Sequence, residues 1–300
     1  MPKLDRDGVA IHYEEAGTGM PVLFLHEFAG DHLSWRGQMG ALCRHYRCIA
    51  FAARGYPPSD APGDAGRYGQ AALEDDALAV LEHLGCARAH VVGLSMGAYT
   101  AIKLALRAPD RIAAVVAAAG GSGSGASGRD TFVAEARDLA SHMLAAGRIP
   151  AEALWRGPTR LQLLHKDSRV WAGEVARMAA RPAHGAAYTL DKVQAGRASL
   201  RDFESGLAAL ATPVLLMVGD EDLSCLDVNV WLKSIMPAAR LAVLPGCGHA
   251  LNLEEPAVFN RLVADFLAEV DRGLWRPRDP ATMPSSGVHS AIGLSRRADS

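Results

Sequence analysis

The run Ile112 to Ala119, IAAVVAAA, carries no polar side chain. A strand with one wet face alternates apolar and polar positions, whereas a strand apolar throughout has to be covered on both faces, as in parallel sheets flanked by helices. His90 to Leu94 and Pro213 to Val218 read almost the same way, and Cys48 to Ala53 and Arg240 to Leu244 add further strands. Between them lie helical periods. Ala71 to Leu84 sets Leu73, Ala77, Leu78, Leu81 and Leu84 on one face and stops at Gly85, a C-cap residue. Ser34 to Tyr46, Met96 to Arg107 and Asp227 to Met236 also read as helices. After Pro256, the residues Val258, Phe259, Leu262, Val263, Phe266, Leu267 and Val270 form the clearest apolar stripe in the chain. Val9 to Glu15 and Pro21 to His26, separated by Gly17-Thr18-Gly19, predict a hairpin near the start. The implied class is α/β, with a mostly parallel central sheet flanked by helices.

The strand–helix alternation breaks after Ala119. Gly120 to Gly128 (GGSGSGASG) reads as a linker or mobile loop, and the following stretch to about Gly206 is helix-like without a convincing strand. The expected division is a core domain of residues 1–119 and 207–272, a Gly-rich hinge with a helical cap at 120–206, and a tail at 273–300. That tail is rich in Pro, Ser and Arg and predicts no ordered structure.

Composition removes several classes of function. The 300 residues are enough to bury about three-quarters of the unfolded surface, and 49% hydrophobic with 21% charged residues is ordinary for a globular chain. Thirty-one Lys and Arg balance 33 Asp and Glu, so no global basic field exists to hold nucleic acid. No apolar run approaches the ~18–20 residues of a membrane span. Met1 to Asp7 is charged and runs straight into a strand-like segment, unlike a signal peptide. Cys43, Cys48, Cys86, Cys225 and Cys247 are few, odd in number and scattered, which predicts reduced thiols in a cytoplasmic protein. A small-molecule substrate is the expected partner, with no nucleic acid and no membrane. A homodimer stays compatible with the composition.

Chemistry enters at three strand ends. The strand His90 to Leu94 turns into a helix through Gly93-Leu94-Ser95-Met96-Gly97, a G-x-S-x-G sequence in the strand–turn–helix setting that lifts a hydroxyl off the sheet. A serine needs a base, and the base needs an orienting carboxylate. Gly219-Asp220-Glu221-Asp222 follows one later strand and Gly246-Cys247-Gly248-His249 follows the next. Alone, an acidic turn or a loop histidine is most often a solvated feature. Together, in this order and at the C-terminal ends of parallel strands, they point to a site.

From about Gly8 to Val270 the chain resembles the α/β-hydrolase superfamily. The likeness rests on His26-Glu27-Phe28-Ala29-Gly30, Arg54-Gly55-Tyr56-Pro57-Pro58-Ser59, Gly93 to Gly97, and Gly246 to His249 with Asn252 to Pro256. It implies Ser95 as nucleophile, His249 as general base and Asp222 as the acid, in the family pattern Gly-x-x-Asp, with Asp220 and Glu221 capping the turn or facing solvent. It also implies an oxyanion hole from the backbone N–H groups of Phe28 and Met96. No cofactor is implied. The 11 histidines show no H-E-x-x-H or similar spacing, so no metal is expected. The family usually has Gly where this chain has Glu27, and Asp where it has Ala52. Two readings follow: Glu27 pairs with Arg54, or Glu27 faces the pocket to recognise a polar group or relay a proton. Trp155 and Tyr188 are cap residues expected to pack among helices or to face the pocket, and Cys247 reads as a small filler.

The function implied is a serine hydrolase acting on a carboxylic ester or lactone of a small, largely apolar substrate through an acyl-enzyme. Hydrolytic C–C cleavage of vinylogous diketone acids uses the same residues, although that branch often has Asn at the position of Leu94, and amide hydrolysis is a third reading. Dehalogenases and epoxide hydrolases of this fold need Asp at the position of Ser95. A non-catalytic ligand-binding protein of the same fold is the alternative of another class.

Overall fold

In the computed structural model of the chain, residues 2–279 are described. Eight strands make one sheet in the order β1-β2-β4-β3-β5-β6-β7-β8. They are β1 (Lys3–Arg6), β2 (Val9–Ala16), β3 (Pro21–Leu25), β4 (Arg47–Phe51), β5 (Ala89–Leu94), β6 (Ile112–Ala118), β7 (Val214–Gly219) and β8 (Ala239–Leu244). β2 pairs antiparallel with β1 and β4, and every pairing from β4 to β8 is parallel.

The apolar strands are explained by the two cores. Leu23, Leu25, Val91, Val115 and Ala117 point to the face covered by α2 (Gln70–His83), α3 (Met96–Arg107) and α10 (Leu223–Ile235). Their neighbours Val22, Phe24, Val92, Ala114 and Val116 point to the opposite face, under α1 (Arg36–Leu42) and α12 (Pro256–Asp271). Each large side chain so buried is worth roughly 1.5–3 kcal/mol relative to exposure.

The helix Met96–Arg107 has the predicted bounds, and α10 starts at Leu223 rather than Asp227. The predicted hairpin does not form. β2 and β3 are separated by β4, which pairs with both. Gly17 is there for a different reason: at φ +84 it lies against the end of α1, where a Cβ would overlap the carbonyls of Cys43 and Tyr46. β1 was not expected, because Leu4 is its only apolar residue. The start of the predicted disordered tail is ordered. Trp275 packs on Phe266 with ring centroids 4.5 Å apart and donates to the Ala238 carbonyl at 2.8 Å, and Arg278 N–H donates to Pro237 O at 2.9 Å. Residues 280–300 of that tail lie outside the described residues.

Between β6 and β7 every element is helical. These are α4 (Arg129–Ala146), α5 (Ala151–Trp155), α6 (Leu161–Lys166), α7 (Ser168–Ala179), α8 (Ala183–Tyr188) and, after a π-helical segment (Thr189–Ala195) and a 3-10 turn (Leu200–Phe203), α9 (Glu204–Ala209). Met143, Trp155, Leu163, Trp171 and Met178 form a third apolar cluster there, joined by Phe28, Ala29 and Ala250 of the sheet's loops. The Gly/Ser tract before α4 is pinned through its backbone. Arg129 donates to Gly123 O (3.2 Å), Arg197 to Ser122 O (3.1 Å) and Arg201 to Ser124 O (3.0 Å). No helix among the described residues is long and apolar enough to cross a membrane.

The helical layer meets the sheet's loops through charge as well as apolar contact. Arg181 donates to the carbonyls of Phe28 (2.8 Å) and Ala29. Arg177 pairs with Asp31 (3.2 Å) and with Glu174, and Ser34 Oγ donates to Glu174 at 3.1 Å. Glu174 is 1% exposed. Burial pushes its pKa from 4.5 up to about 7, against the pull of Arg177. The folded chain therefore holds this proton more tightly than the unfolded one, so the associated stability is full below pH 4.5 and is lost as pH rises toward 7. The interval is worth on the order of 3 kcal/mol at 1.36 kcal/mol per unit. Urea midpoints of the wild type should fall between pH 5 and 7.5, and those of Glu174→Gln should fall much less. Parallel pH profiles for the two proteins would rule this out.

Candidate active site

Ser95 joins β5 to α3 with φ 53 and ψ −107, a conformation few non-glycine residues adopt and one that costs about 1–3 kcal/mol. The surrounding glycines make it necessary. A Cβ on Gly93 would overlap the backbone of Gly97, and one on Gly97 would overlap the carbonyl of Leu25 in β3. The helix thus starts hard against the sheet, and the chain can turn between strand and helix only at Ser95. Its amide donates to Ala118 O at 2.8 Å, tying the turn to β6.

Asp222 follows β7 and is fully buried, and His249 follows β8. His249 Nδ1 lies 2.6 Å from Asp222 Oδ2, so the ring donates to the carboxylate through Nδ1. The second Asp222 oxygen accepts from Ser224 Oγ at 2.8 Å. Burial disfavours the imidazolium, but the Asp222 carboxylate outweighs it and raises the pKa of His249. In turn, burial opposes ionisation of Asp222, while His249 and the Ser224 hydroxyl bring its pKa below the usual carboxylate range. Asp220 accepts from Cys247 N at 3.1 Å, and Glu221 is exposed and bonds Gln162. Cys247 is buried, and burial pushes its thiol well above the ordinary value.

The loop holding His249 is fixed from two sides. Glu254 in the one-turn helix α11 (Leu251–Glu254) accepts from Gly248 N at 2.6 Å and Ala250 N at 3.0 Å, and His249 N donates to Thr159 O at 2.7 Å. The next residue, Arg160, reaches Glu27. Its Nη1 is 2.7 Å from Oε1, its Nη2 bonds Oε2, and its guanidinium stacks 5.0 Å above the Trp155 ring. Glu27 is 1% exposed, with Oε2 3.9 Å from His249 Nε2. His26 fixes the preceding turn. Its Nδ1 donates to Glu27 O at 2.7 Å and its Nε2 accepts from Ala53 N at 3.1 Å. Burial lowers the His26 pKa to about 4. Tyr56 OH donates to Phe28 O at 3.0 Å, beside the Arg181 contact.

Ser95, Asp222, His249, Glu27, Phe28 and Met96 thus all sit at the C-terminal ends of parallel strands. Arg54 does not join them. The expected Glu27–Arg54 pairing is incorrect: Arg54 binds Asp76 of α2 through both carboxylate oxygens, at 2.7 and 2.6 Å. A nearer carboxylate on a packed helix takes the guanidinium, and Glu27 finds its cation in the helical layer instead. Trp155 is fully buried among those helices and meets the site only through Arg160, while Tyr188 packs against Tyr68 (5.4 Å) and His184 (6.0 Å). Arg160 and Arg181 had no sequence signal, since their partners are more than a hundred residues away.

Glu254→Ala leaves two buried amides without an acceptor and should cost about 3 kcal/mol, with Glu254→Gln losing roughly half of that. Urea denaturation measures both, and a loss below about 0.5 kcal/mol for the alanine variant would show that Glu254 does not hold this loop.

The sequence model of the alpha/beta hydrolase fold matches residues 20–256. The 2-hydroxymuconate semialdehyde hydrolase of Pseudomonas putida is 30% identical over 288 residues, covering 90% of this chain and 96% of that protein. A 2-hydroxy-6-oxononadienedioate/2-hydroxy-6-oxononatrienedioate hydrolase of Burkholderia vietnamiensis is 30% identical over 88% of this chain and 92% of its own length. The crystal structure of the enol-lactonase from Burkholderia xenovorans LB400 superposes with a TM-score of 0.76 at 25% identity, over 89% of this chain and all of that one. With the sheet order, the strained serine turn and this match, the chain belongs to the alpha/beta hydrolase fold family.

Proposed function

We propose that the protein is a serine hydrolase that cleaves a carboxylic ester or lactone of a small, largely apolar substrate. The observation that carries this is the 2.6 Å Asp222–His249 hydrogen bond at the same sheet end as the strained Ser95 turn. In this reading Ser95 Oγ attacks the substrate carbonyl and His249 Nε2 takes its proton, while Asp222 holds the ring and its positive charge. The developing oxyanion accepts hydrogen bonds from the amides of Phe28 and Met96, each worth on the order of 3 kcal/mol. His249 then gives the proton to the leaving alkoxide. A water activated by the same nitrogen hydrolyses the acyl-enzyme and returns Ser95. The contacts of Tyr56 and Arg181 to Phe28 O support this assignment, because they fix the peptide whose neighbouring N–H is needed. The enol-lactonase likeness favours the lactone end of the substrate range.

A second reading, hydrolytic cleavage of a C–C bond beside a ketone, draws on the two relatives named as hydrolases of 2-hydroxymuconate semialdehyde and of 2-hydroxy-6-oxo dienedioates. The same nucleophile and base serve it, with a carbanion rather than an alkoxide leaving. Leu94, where that branch often has Asn, favours the ester reading.

Glu27 sets this site apart. A carboxylate 3.9 Å from His249 Nε2 favours the imidazolium, and Arg160 offsets part of its charge. Removing the charge should therefore lower the His249 pKa and move the acid limb of the kcat/KM profile down by about one pH unit, equivalent to 1.36 kcal/mol. Glu27→Gln should show that displacement together with about 3 kcal/mol of lost stability, because Arg160 is left buried without its counter-ion. An unmoved acid limb would make the pair structural only.

The test of the activity is labelling of the folded protein by a fluorophosphonate and loss of the label in Ser95→Ala. Parallel assays on p-nitrophenyl esters, lactones and vinylogous diketone acids then separate the two readings. Failure of folded wild type to label would favour a ligand-binding protein of the same fold, and turnover confined to the diketone acids would favour C–C hydrolysis.

A further inference from the structure

On the opposite side of the loop that carries Glu27 and Phe28, two histidines and a carboxylate converge. His12 and Glu14 are two residues apart in β2 and share one face of it, and His32 opens the 3-10 turn His32–Trp35 after β3. One donor atom from each residue lies within 4.8 Å of the others. His32 Nε2 is 3.8 Å from Glu14 Oε1, and the two rings meet edge to face at 5.0 Å. Both rings are buried, at 1% and 3% exposure.

The hydrogen bonds of this trio are incomplete. His12 Nδ1 is 2.9 Å from the carbonyl of Pro2, so it carries the proton and Nε2 carries the lone pair. That Nε2 is buried without a partner; on His32 the nitrogen that faces Glu14 is Nε2, and the opposite one, Nδ1, is also unpartnered. A buried acceptor left unsatisfied costs about 1–3 kcal/mol. A ring held by a backbone carbonyl at one nitrogen, with the other bare, is how metal-bound histidines are oriented. A cavity of about 240 Å³ opens beside the trio, lined also by Asp31, Arg36, Arg177 and Arg181, of which Arg177 is paired with Asp31 and Glu174 and Arg181 is turned to the Phe28 carbonyl, and has room for water on the open positions of an ion. The exposed Arg36 lies 3.7 Å from Glu14 Oε1, a contact an ion would replace.

We propose that His12, Glu14 and His32 form a binding site for a divalent cation of the zinc class, separate from Ser95, Asp222 and His249. Two neutral imidazoles and one carboxylate are a ligand set that Zn2+ accepts, with bonds of about 2.0–2.2 Å. Donors on such a tetrahedral ion stand about 3.3 Å apart, so the 3.8 Å pair has to close by roughly half an ångström and a pair at the 4.8 Å limit by up to about 1.5 Å. This revises the expectation of no metal, which rested on linear spacing. The histidines are 20 residues apart in the chain, and the fold brings them together.

The experiment uses the tag-free full chain, stripped with a chelator and titrated with ZnCl2 by calorimetry, and with CoCl2 by visible absorption. One equivalent should bind and raise Tm. Glu14→Gln, a half-exposed change that leaves the core intact, should weaken binding at least about 100-fold, the upper end of what loss of an outer hydrogen-bond partner costs. His32→Asn should do the same. Asp222→Asn is the control, because Asp222, Cys225 and His249 form the other group of this kind among the described residues. It should bind as the wild type does. The proposal is overturned if folded wild type takes up no Zn2+, if Glu14→Gln binds as tightly as the wild type, or if Asp222→Asn is the variant that loses the ion.

Discussion

The absence of two methyl groups governs the placement of everything around Ser95. α3 starts so close to the sheet that the backbone of Gly97 touches Leu25 in β3 and Gly93 touches Gly97. Nothing larger than hydrogen fits at either position. The strain in the turn is held by burial on both faces of β5 and β6, whose side chains divide alternately between the two cores. Because β7 and β8 continue the same parallel array, Asp222 and His249 follow strands of the same sheet, at the end where the serine turn leaves β5. The geometry of the site is therefore a property of the sheet first and of its loops second.

Charge, rather than apolar surface alone, joins the helical layer to that sheet. Glu27–Arg160 and Glu174–Arg177–Asp31 span it with buried or half-buried ions, and Arg181 reaches two carbonyls. Buried ion pairs add little stability over well-packed apolar groups, yet breaking one by removing a single partner costs about 3–5 kcal/mol. They act as a registration device, since the layer can sit only where each ion finds its partner. Glu27 belongs both to this seam and to the surroundings of His249, so the position of the helices and the charge beside His249 are linked through one side chain.

The parts legible in the sequence are those set by local pattern. The helix Met96–Arg107, the apolar strands and the stripe after Pro256 follow from periodicity, and the serine turn follows from two glycines at fixed offsets. Asp222 was distinguishable from Asp220 and Glu221 only through the family pattern; in the fold it is fully buried against His249, whereas its neighbours are exposed. What the pattern could not supply was choice among distant partners. Arg54, expected beside Glu27, takes Asp76 of α2, while Glu27 takes an arginine 133 residues away. The hairpin was misread because Gly17 answers a steric demand from α1 and not a turn. β1 escaped notice because a four-residue edge strand needs only its ladder hydrogen bonds and Leu4.

The Gly/Ser tract ahead of α4 is gripped by Arg129, Arg197 and Arg201 through its carbonyl oxygens. A carbonyl is common to all residues, so such a grip is blind to which side chains the gripped segment bears. It also carries no titratable acceptor and does not weaken with pH. Replacement of any of the three arginines by lysine trades a planar fork for a single point donor, while within 120–128 Ser124 is held through its own Oγ, which accepts from Leu200 N at 2.9 Å, and a Cβ on Gly121 or Gly123 would overlap Val228 or Phe132. For this segment, the information that specifies attachment is divided between the arginines that hold it and the few held positions, Gly121, Gly123 and Ser124, that fit against their neighbours.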